Sequence, residues 1–414
     1  MSQTQNLPVA VGIDVGSTAI RCVVGLHEEE APAPSIVGVG KAASNGVRKG
    51  SVVDIEETIS AITAAIDDAE RISGITLEGA AVSVNGTHIA TASSRGIVAV
   101  GSSNREIDDD DLDRVEEAAT VMQLPPNREF IQIFPRSYIV DGQEHVKDPV
   151  GMSGMRLEVD TCLVTASTPF LKNTTRSVNQ SGLSVNAHIA APLAAGRAIA
   201  SKQDKEIGCV VIDIGAHTTG VAIYEDGEPM HAAVLPVGSS HVTNDIAIGL
   251  RTEVETAEQV KRQHVDVDPK ASRKNQGFTV EEVSGDTMNV TGQEVDDIAR
   301  ARIEEIFTLV NAELDKVKRS GMLPGGALLC GGGSNQRGIA ELAKHELSLP
   351  AHIKSSHGFS GIVDKIKNPE YAVAVGLMLE DLYSDNTKSG NGSMVAALSD
   401  FRNFLSDIVG RFRG

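Results

Sequence analysis

Positive charge is scarce in this chain: 37 Lys and Arg stand against 56 Asp and Glu, a formal net charge of −19 at pH 7. An acidic surplus of that size argues against general nucleic-acid binding and predicts repulsion from an anionic membrane. Long apolar runs are missing too. No window holds eighteen apolar residues, which excludes an ordinary membrane-spanning helix, and the opening "MSQTQNLPVAVG" has neither the basic region nor the apolar stretch of a signal peptide. A cytoplasmic location is the expectation. Cysteine is limited to Cys22, Cys162, Cys209 and Cys330, each alone in an apolar run without metal-ligand spacing, so buried free thiols are expected. Aromatic residues make up 3% of the chain, and three of its nine Phe fall in the last fourteen residues. What the chain does have is length and aliphatic content, 414 residues at 41% hydrophobic, enough for a large core and two or more domains.

One pattern occurs twice. "PVAVGIDVGSTAIRCVVG" is an apolar strand-like run broken at Asp14-Val15-Gly16-Ser17-Thr18 and resumed at Cys22, the signature of a β-hairpin whose turn carries a carboxylate, a glycine and two hydroxyls. About two hundred residues later "GCVVIDIGAHTTGVAIYEDG" repeats it with Asp213, Gly215, Thr218 and Thr219. A lone Asp-x-Gly after a strand is usually an ordinary turn; two copies in matching contexts point to two related lobes. Glycines at 16 and 215 let backbone N–H groups approach phosphate oxygens, and the hydroxyls of Ser17, Thr18, Thr218 and Thr219 add donors. Asp14 and Asp213 repel phosphate, but facing one another they suit a hydrated magnesium ion, which takes few protein carboxylates and keeps its waters. No G-x-x-x-x-G-K-[ST] sequence is present, so this is not the P-loop arrangement.

A third glycine turn, Gly331-Gly332-Gly333-Ser334, follows a short apolar strand and precedes an amphipathic helix. Alone it is a close-packed strand-to-helix turn; beside two phosphate hairpins it reads as a backbone surface for a nucleoside. Glu258 and Lys261 in "TAEQVKRQ" lie one helical turn apart, either a solvated ion pair or a ribose contact. The acidic run Asp108 to Asp111 suits the first turn of a helix continued by Leu112, Val115 and Ala119 on one side. At the far end, "MVAALSDFRNFLSDIVGRFRG" sets Leu398, Phe401, Phe404, Leu405, Ile408 and Phe412 along one stripe, with Arg411 and Arg413 off it. A terminal helix docked on its own core is the plain reading. A linker-like "SDNTKSGNGS" just before it favours instead a helix lying in a headgroup layer.

Hairpin loop, second hairpin loop and glycine turn, in that order, resemble the actin-like ATPase superfamily. The stretch "DPVGMSGMRLEV", inside a segment inserted between "AAVSVNG" and "CLVTAS", is similar to the FtsA family of bacterial cell-division proteins. The resemblance implies a two-lobed actin-like (ribonuclease-H-like) α/β fold with an inserted small α+β domain and a C-terminal amphipathic helix. It implies ATP with magnesium, held by Asp14, Gly16, Ser17, Thr18, Arg21, Asp213, Gly215, Thr218, Thr219, Glu258, Lys261 and the turn Gly331, Gly332, Gly333, Ser334. It further implies self-assembly into filaments, contacts with other division proteins through the inserted domain, and peripheral attachment to the cytoplasmic face of the membrane at the division site. Arg302 and Glu305 fall where the family binds the C-terminal peptide of the tubulin-like FtsZ. The chain departs from the family in three places, covering four residues: Arg21 replaces a usual Lys, Ala216-His217 a usual pair of glycines, and Gly220 a usual Asp. These leave nucleotide binding expected, hydrolysis at most slow, and the catalytic base unassigned.

The implied boundaries are 1–86 for the first lobe's core, continued by about 161–200 and 360–383; 87–160 for the insert; and 205–241 with 320–359 for the second lobe's core. Residues 242–319 form its outer subdomain, 384–393 a linker and 394–414 the membrane helix. Two other functions stay open on sequence: a PilM-like pilus-assembly scaffold, and a small-molecule kinase of the same superfamily, for which no acceptor-sugar motif is visible.

Overall fold

The computed structural model describes residues 8–27, 33–101, 104–121, 124–271, 276–281, 285 and 287–384. The tail expected to meet the membrane, Leu398, Phe401, Phe404, Leu405, Ile408, Arg411, Phe412 and Arg413 included, lies outside them. Among the described residues no helix is long and apolar enough to cross a membrane.

Both Asp-x-Gly segments form the hairpins their sequences predict, Val9–Val15 with Ala19–Leu26 and Cys209–Ile214 with Thr219–Glu225. Their first strands are apolar apart from the one aspartate and are buried almost throughout, as strands covered on both faces must be. Each hairpin sits in a larger sheet. One sheet runs Ser184–Ala190, Gly79–Val84, Val9–Val15, Ala19–Leu26, Ser35–Ala43, with Ser360–Gly361 added at its edge. The other runs Ala351–Ile353, Ala327–Cys330, Cys209–Ile214, Thr219–Glu225, Glu228–Leu235. In both, the first hairpin strand has a parallel neighbour on one side, itself followed by a second parallel strand, and an antiparallel meander on the other. Five strands in the same order and sense make the two sheets sisters, and each brings its aspartate to the same end of the same central strand.

Small residues let helices lie close on the first sheet. A Cβ at Gly40 would stand 1.8 Å from the Ala65 carbonyl oxygen of the helix Ile55–Ser73. At Gly12 it would stand 2.2 Å from that of Ala374 in the helix Ala372–Ser384. That last helix also crosses Ala191–Ile199, where a Cβ at Gly376 would meet the Ala194 carbonyl oxygen at 1.7 Å.

The insert is a four-stranded antiparallel sheet, Ala90–Ala99, Arg156–Ser167, Arg128–Val140, Gln143–Val146, covered by the helix Asp109–Thr120. It has its own core of Leu112, Val115, Ala119, Tyr138, Leu157 and Val159. The acidic run caps that helix: Asp108 accepts from the Asp111 N–H, and buried Asp111 accepts from the Gly101 N–H and pairs with Arg114. All four cysteines are free and buried. The second lobe's outer part is built from the helices Ser239–Leu250, Val254–His264 and Gly292–Lys316 and a small hairpin, Gly277–Glu281 with Thr287–Thr291.

Candidate functional site

The two hairpin turns and the glycine turn open onto one cleft of ≈ 740 Å³ whose walls come from both sheets. Asp14, Gly16, Ser17, Thr18 and Arg21 line it from the first hairpin; Asp213, Gly215 and Thr218 from the second; Gly331, Gly332 and Gly333 from the third turn; Glu258 and Lys261 from the helix Val254–His264.

In the first hairpin, Asp14 is 7% exposed and tied down on two sides. The Ser83 hydroxyl donates to its carboxylate at 3.1 Å and itself accepts from the Val15 N–H at 2.8 Å. Arg21, directly across the hairpin from Asp14, brings a guanidinium nitrogen to 3.8 Å. Arg21 is shared: it donates to Glu370 at 2.6 Å, and Glu370 also accepts from Lys41 at 2.9 Å. Burial raises the Asp14 carboxyl, opposed by Arg21 and by the Ser83 hydrogen bond. The turn is too tight for a side chain at position 16, where a Cβ would stand 2.6 Å from the Ala19 carbonyl oxygen.

Asp213 is in the same place in the second sheet and has fewer partners. Across its hairpin stands Gly220, and on the neighbouring parallel strand stands Cys330, the position that Ser83 holds in the first sheet. Neither supplies a strong donor. Burial, followed by the charge of Asp14, pushes the Asp213 carboxyl from 3.8 up to about 7, with Arg21 pulling the other way. Gly331 is pressed against this carboxylate: its φ is +81°, and a Cβ there would lie 2.3 Å from Asp213 Oδ1. The turn itself is closed by the Gly215 N–H on the Thr218 carbonyl at 2.9 Å.

The lining also includes the apolar residues Val242, Val265, Ile303, Ile306 and Ile339. Lys261 and Glu258 join the two helices along this wall. Lys261 Nζ lies 2.6 Å from the Glu258 carboxylate and donates to the Thr243 hydroxyl at 2.8 Å, and that hydroxyl lies 2.6 Å from Glu258.

Two expected residues do not line the cleft. Side chains alternate across a strand, so with Thr218 turned inward the next hydroxyl, Thr219, is fully buried on the other side and donates to the Val237 carbonyl at 2.8 Å. Ser334 is also fully buried, its hydroxyl returning to the Gly331 carbonyl at 2.7 Å to close its own turn. Arg302 and Glu305 lie on Gly292–Lys316, outside the cleft lining. There Arg302 forms a fork on Asp245, at 2.6 and 3.1 Å, and also pairs with Glu305. Ser83, Lys41 and Glu370 were not anticipated. Ser83 had a signal, as the lone hydroxyl in the apolar strand "GAAVSV"; Glu370, 349 residues from Arg21 in sequence, had none.

The sequence family described as "Cell division protein FtsA" matches residues 210–376, and that described as "SHS2 domain inserted in FTSA" matches residues 86–165. The cell division protein FtsA of Bacillus subtilis (strain 168) is 37% identical over 374 residues, covering 90% of this chain and 83% of that protein. The cell division protein FtsA of Pseudomonas aeruginosa is 34% identical over 384 residues, covering 92% and 91%. This chain belongs to the FtsA family. Its FtsA relatives give it a role in cell division, and the SHS2 match identifies the four-stranded insert. The fold is actin-like. A chain of the PilM–PilN type IV pilus biogenesis complex superposes with a TM-score of 0.61 at 17% identity, over 90% of this chain and 98% of that one. MreB5 of Spiroplasma citri bound to ADP gives 0.55 at 13% identity, over 92% and 99%. At these identities the likeness is one of architecture, whereas the FtsA relatives match in sequence over most of the chain.

Proposed function

We propose that this FtsA-family protein binds ATP with magnesium in the cleft, assembles with copies of itself in that state, and tethers filaments of FtsZ to the cytoplasmic face of the membrane. The observation that carries the nucleotide reading is the pair of buried aspartates, delivered by sister hairpins to one cleft. Asp14, Asp213 and Glu370 share only Arg21 and Lys41 as close cations among the described residues, and an Asp213 carboxyl raised to about 7 marks a site where added positive charge is favoured. A magnesium ion would meet that need through water from Asp14 and Asp213. The turns at Gly16, Gly215 and Gly331–Gly333 would receive phosphates and nucleoside by their backbones, and the apolar wall would receive the base. Bound magnesium supplies charge neutralisation at the phosphates. MreB5, of the same architecture, is described as bound to ADP, which agrees with a nucleotide in this fold.

The test is Asp213→Asn, which keeps the shape and removes the charge. Magnesium-dependent binding of a fluorescent ATP analogue is expected to weaken by about tenfold or more, the scale of one charge-assisted hydrogen bond, with the far-UV spectrum unchanged. Undiminished affinity would count against the assignment.

Partner binding and membrane attachment extend the reading beyond the cleft. Recruitment of later division proteins is assigned to the insert, which carries its own core and therefore presents a surface independent of the nucleotide. The FtsZ peptide is assigned to the face around Arg302 and Glu305, where the present pairing of Arg302 with Asp245 means that an acidic peptide must compete for that guanidinium.

A further inference from the structure

Beside the first hairpin turn, with Ser17 in its wall, lies a second cavity of ≈ 650 Å³. Arg48 and Lys49 enter it from the first lobe, His217 and His241 from the second, and among the described residues no carboxylate lines it. In a chain of net charge −19, four basic side chains without an acid form a marked local reversal. Two buried polar atoms in its wall have no hydrogen-bond partner among the described residues: the hydroxyl of Ser44, which is 5% exposed, and Nδ1 of His217. Buried polar groups are nearly always satisfied, so a pair of orphans facing one cavity points to something that satisfies both. His241 Nδ1 is held by Gly238, 3.1 Å from its N–H and 3.2 Å from its carbonyl oxygen, so either tautomer keeps this ring nitrogen on the backbone. Field and donors agree: burial lowers the His217 imidazole, and His241, Arg48 and Lys49 lower it further with no acid opposing them.

We propose that this chamber binds a tetrahedral oxyanion, free inorganic phosphate, on Arg48, Lys49, His217, His241 and the Ser44 hydroxyl. Phosphate offers acceptor oxygens in several directions to donors that converge from two lobes, and its charge offsets the local positive field. The chamber touches the main cleft through Ser17 and Ser240, which line both. It is also hung from the first loop, because the Gly50 N–H, next to Lys49, donates to the Ser17 hydroxyl at 3.3 Å. An anion bridging Arg48 and Lys49 to His217 and His241 therefore ties the two lobes together beside the first loop.

The site is argued from its own lining, so nucleotide-free full-length protein tests it independently of the cleft. Sodium phosphate is titrated in against sodium chloride at matched ionic strength, with the His217 and His241 imidazole resonances and calorimetry as readouts. Saturable shifts of both rings are expected with phosphate and not with chloride. The double variant Arg48→Gln, Lys49→Asn should bind phosphate at least about tenfold more weakly, as expected when two charge-assisted hydrogen bonds to the anion are removed. Asn is chosen because Lys49 has φ +49°, a conformation Asn tolerates. Ser44→Ala, which removes an orphan hydroxyl and leaves every charge in place, should weaken binding as well. A response that does not saturate, or that is equal in wild type and both variants, overturns the proposal. A third arm adds magnesium with an uncleavable ATP analogue or with ADP: if only the terminal phosphoryl of the ATP analogue moves His217, and free phosphate never does, the free anion is the wrong ligand and the proposal falls.

Discussion

The two aspartates occupy sister positions and differ in what surrounds them. Asp14 has Arg21 across its hairpin and the Ser83 hydroxyl on the next strand; Asp213 has Gly220 and Cys330 at the same two places. Burial raises both carboxyls, and Asp213, which lacks those two partners and also feels the charge of Asp14, is pushed up to about 7. Unfolded, it titrates near the ordinary 3.8, so between these values the folded chain keeps a proton that the unfolded chain has released. Metal-free stability should therefore fall as pH rises through this window, by at most about 1.4 kcal/mol per pH unit from this group. Asp14, also raised by burial, adds to the same trend. Magnesium competes with that proton, so magnesium-dependent nucleotide affinity should rise with pH through about 7. Cys330→Ser would restore the missing donor, and one hydrogen bond of about 0.5–1.5 kcal/mol moves the midpoint of that rise down by up to about one pH unit. Affinity measured from pH 5.5 to 8.5 checks it; an unmoved midpoint would show that the sister-position difference is not what sets the Asp213 carboxyl.

Helices and hairpins were legible to different degrees, for physical reasons. An Asp-x-Gly break in an apolar run is a local signal, because a lone carboxylate near the end of an otherwise apolar strand marks the end that opens onto the cleft, and the tight turn after it favours a residue without Cβ. Both hairpins and the capped helix after Asp108 follow from such signals. Thr219 and Ser334 fall outside the cleft lining because composition gives a turn its hydroxyls but not their direction, which strand alternation and turn closure decide. Ser83 and Glu370 reach the site only through strand pairing and helix docking, contacts 69 and 349 residues distant in sequence. The crossing of Ala372–Ser384 over Ala191–Ile199 is likewise a tertiary fact. With only 1.7 Å between a Cβ at Gly376 and the Ala194 carbonyl oxygen, Gly376→Ala must force the helices apart, at a cost of about 1–3 kcal/mol. Gly332→Ala has open space, so the same added methyl there should leave the denaturation midpoint unchanged. Equal effects of the two substitutions in urea denaturation would show that helix proximity is not what position 376 requires.

For the molecule as a whole, the proposed function sets the acidic body and the tail in opposition at a membrane. Residues 394–414 hold three Arg and two Asp, so the rest of the chain carries a formal net charge of −20, which an anionic surface repels. The stripe of Leu398, Phe401, Phe404, Leu405, Ile408 and Phe412 offers roughly 1.5–3 kcal/mol per buried side chain, on the order of 10 kcal/mol before ordering and immobilisation are subtracted. Arg411 and Arg413 add about 1 kcal/mol each near anionic lipid. Single molecules on this reckoning bind reversibly. On the proposed function, joining many tails in one filament would raise residence by about 10²- to 10⁴-fold without any added interaction per molecule, and nucleotide would act on the membrane step through assembly. Deleting residues 394–414 should accordingly abolish co-sedimentation with anionic vesicles and leave magnesium-dependent ATP binding intact. In the full chain, pelleting should rise steeply with protein concentration when ATP is present and only gradually without it. Equal pelleting of the truncated chain would rule out the tail as anchor, and concentration curves that coincide with and without ATP would separate membrane residence from assembly.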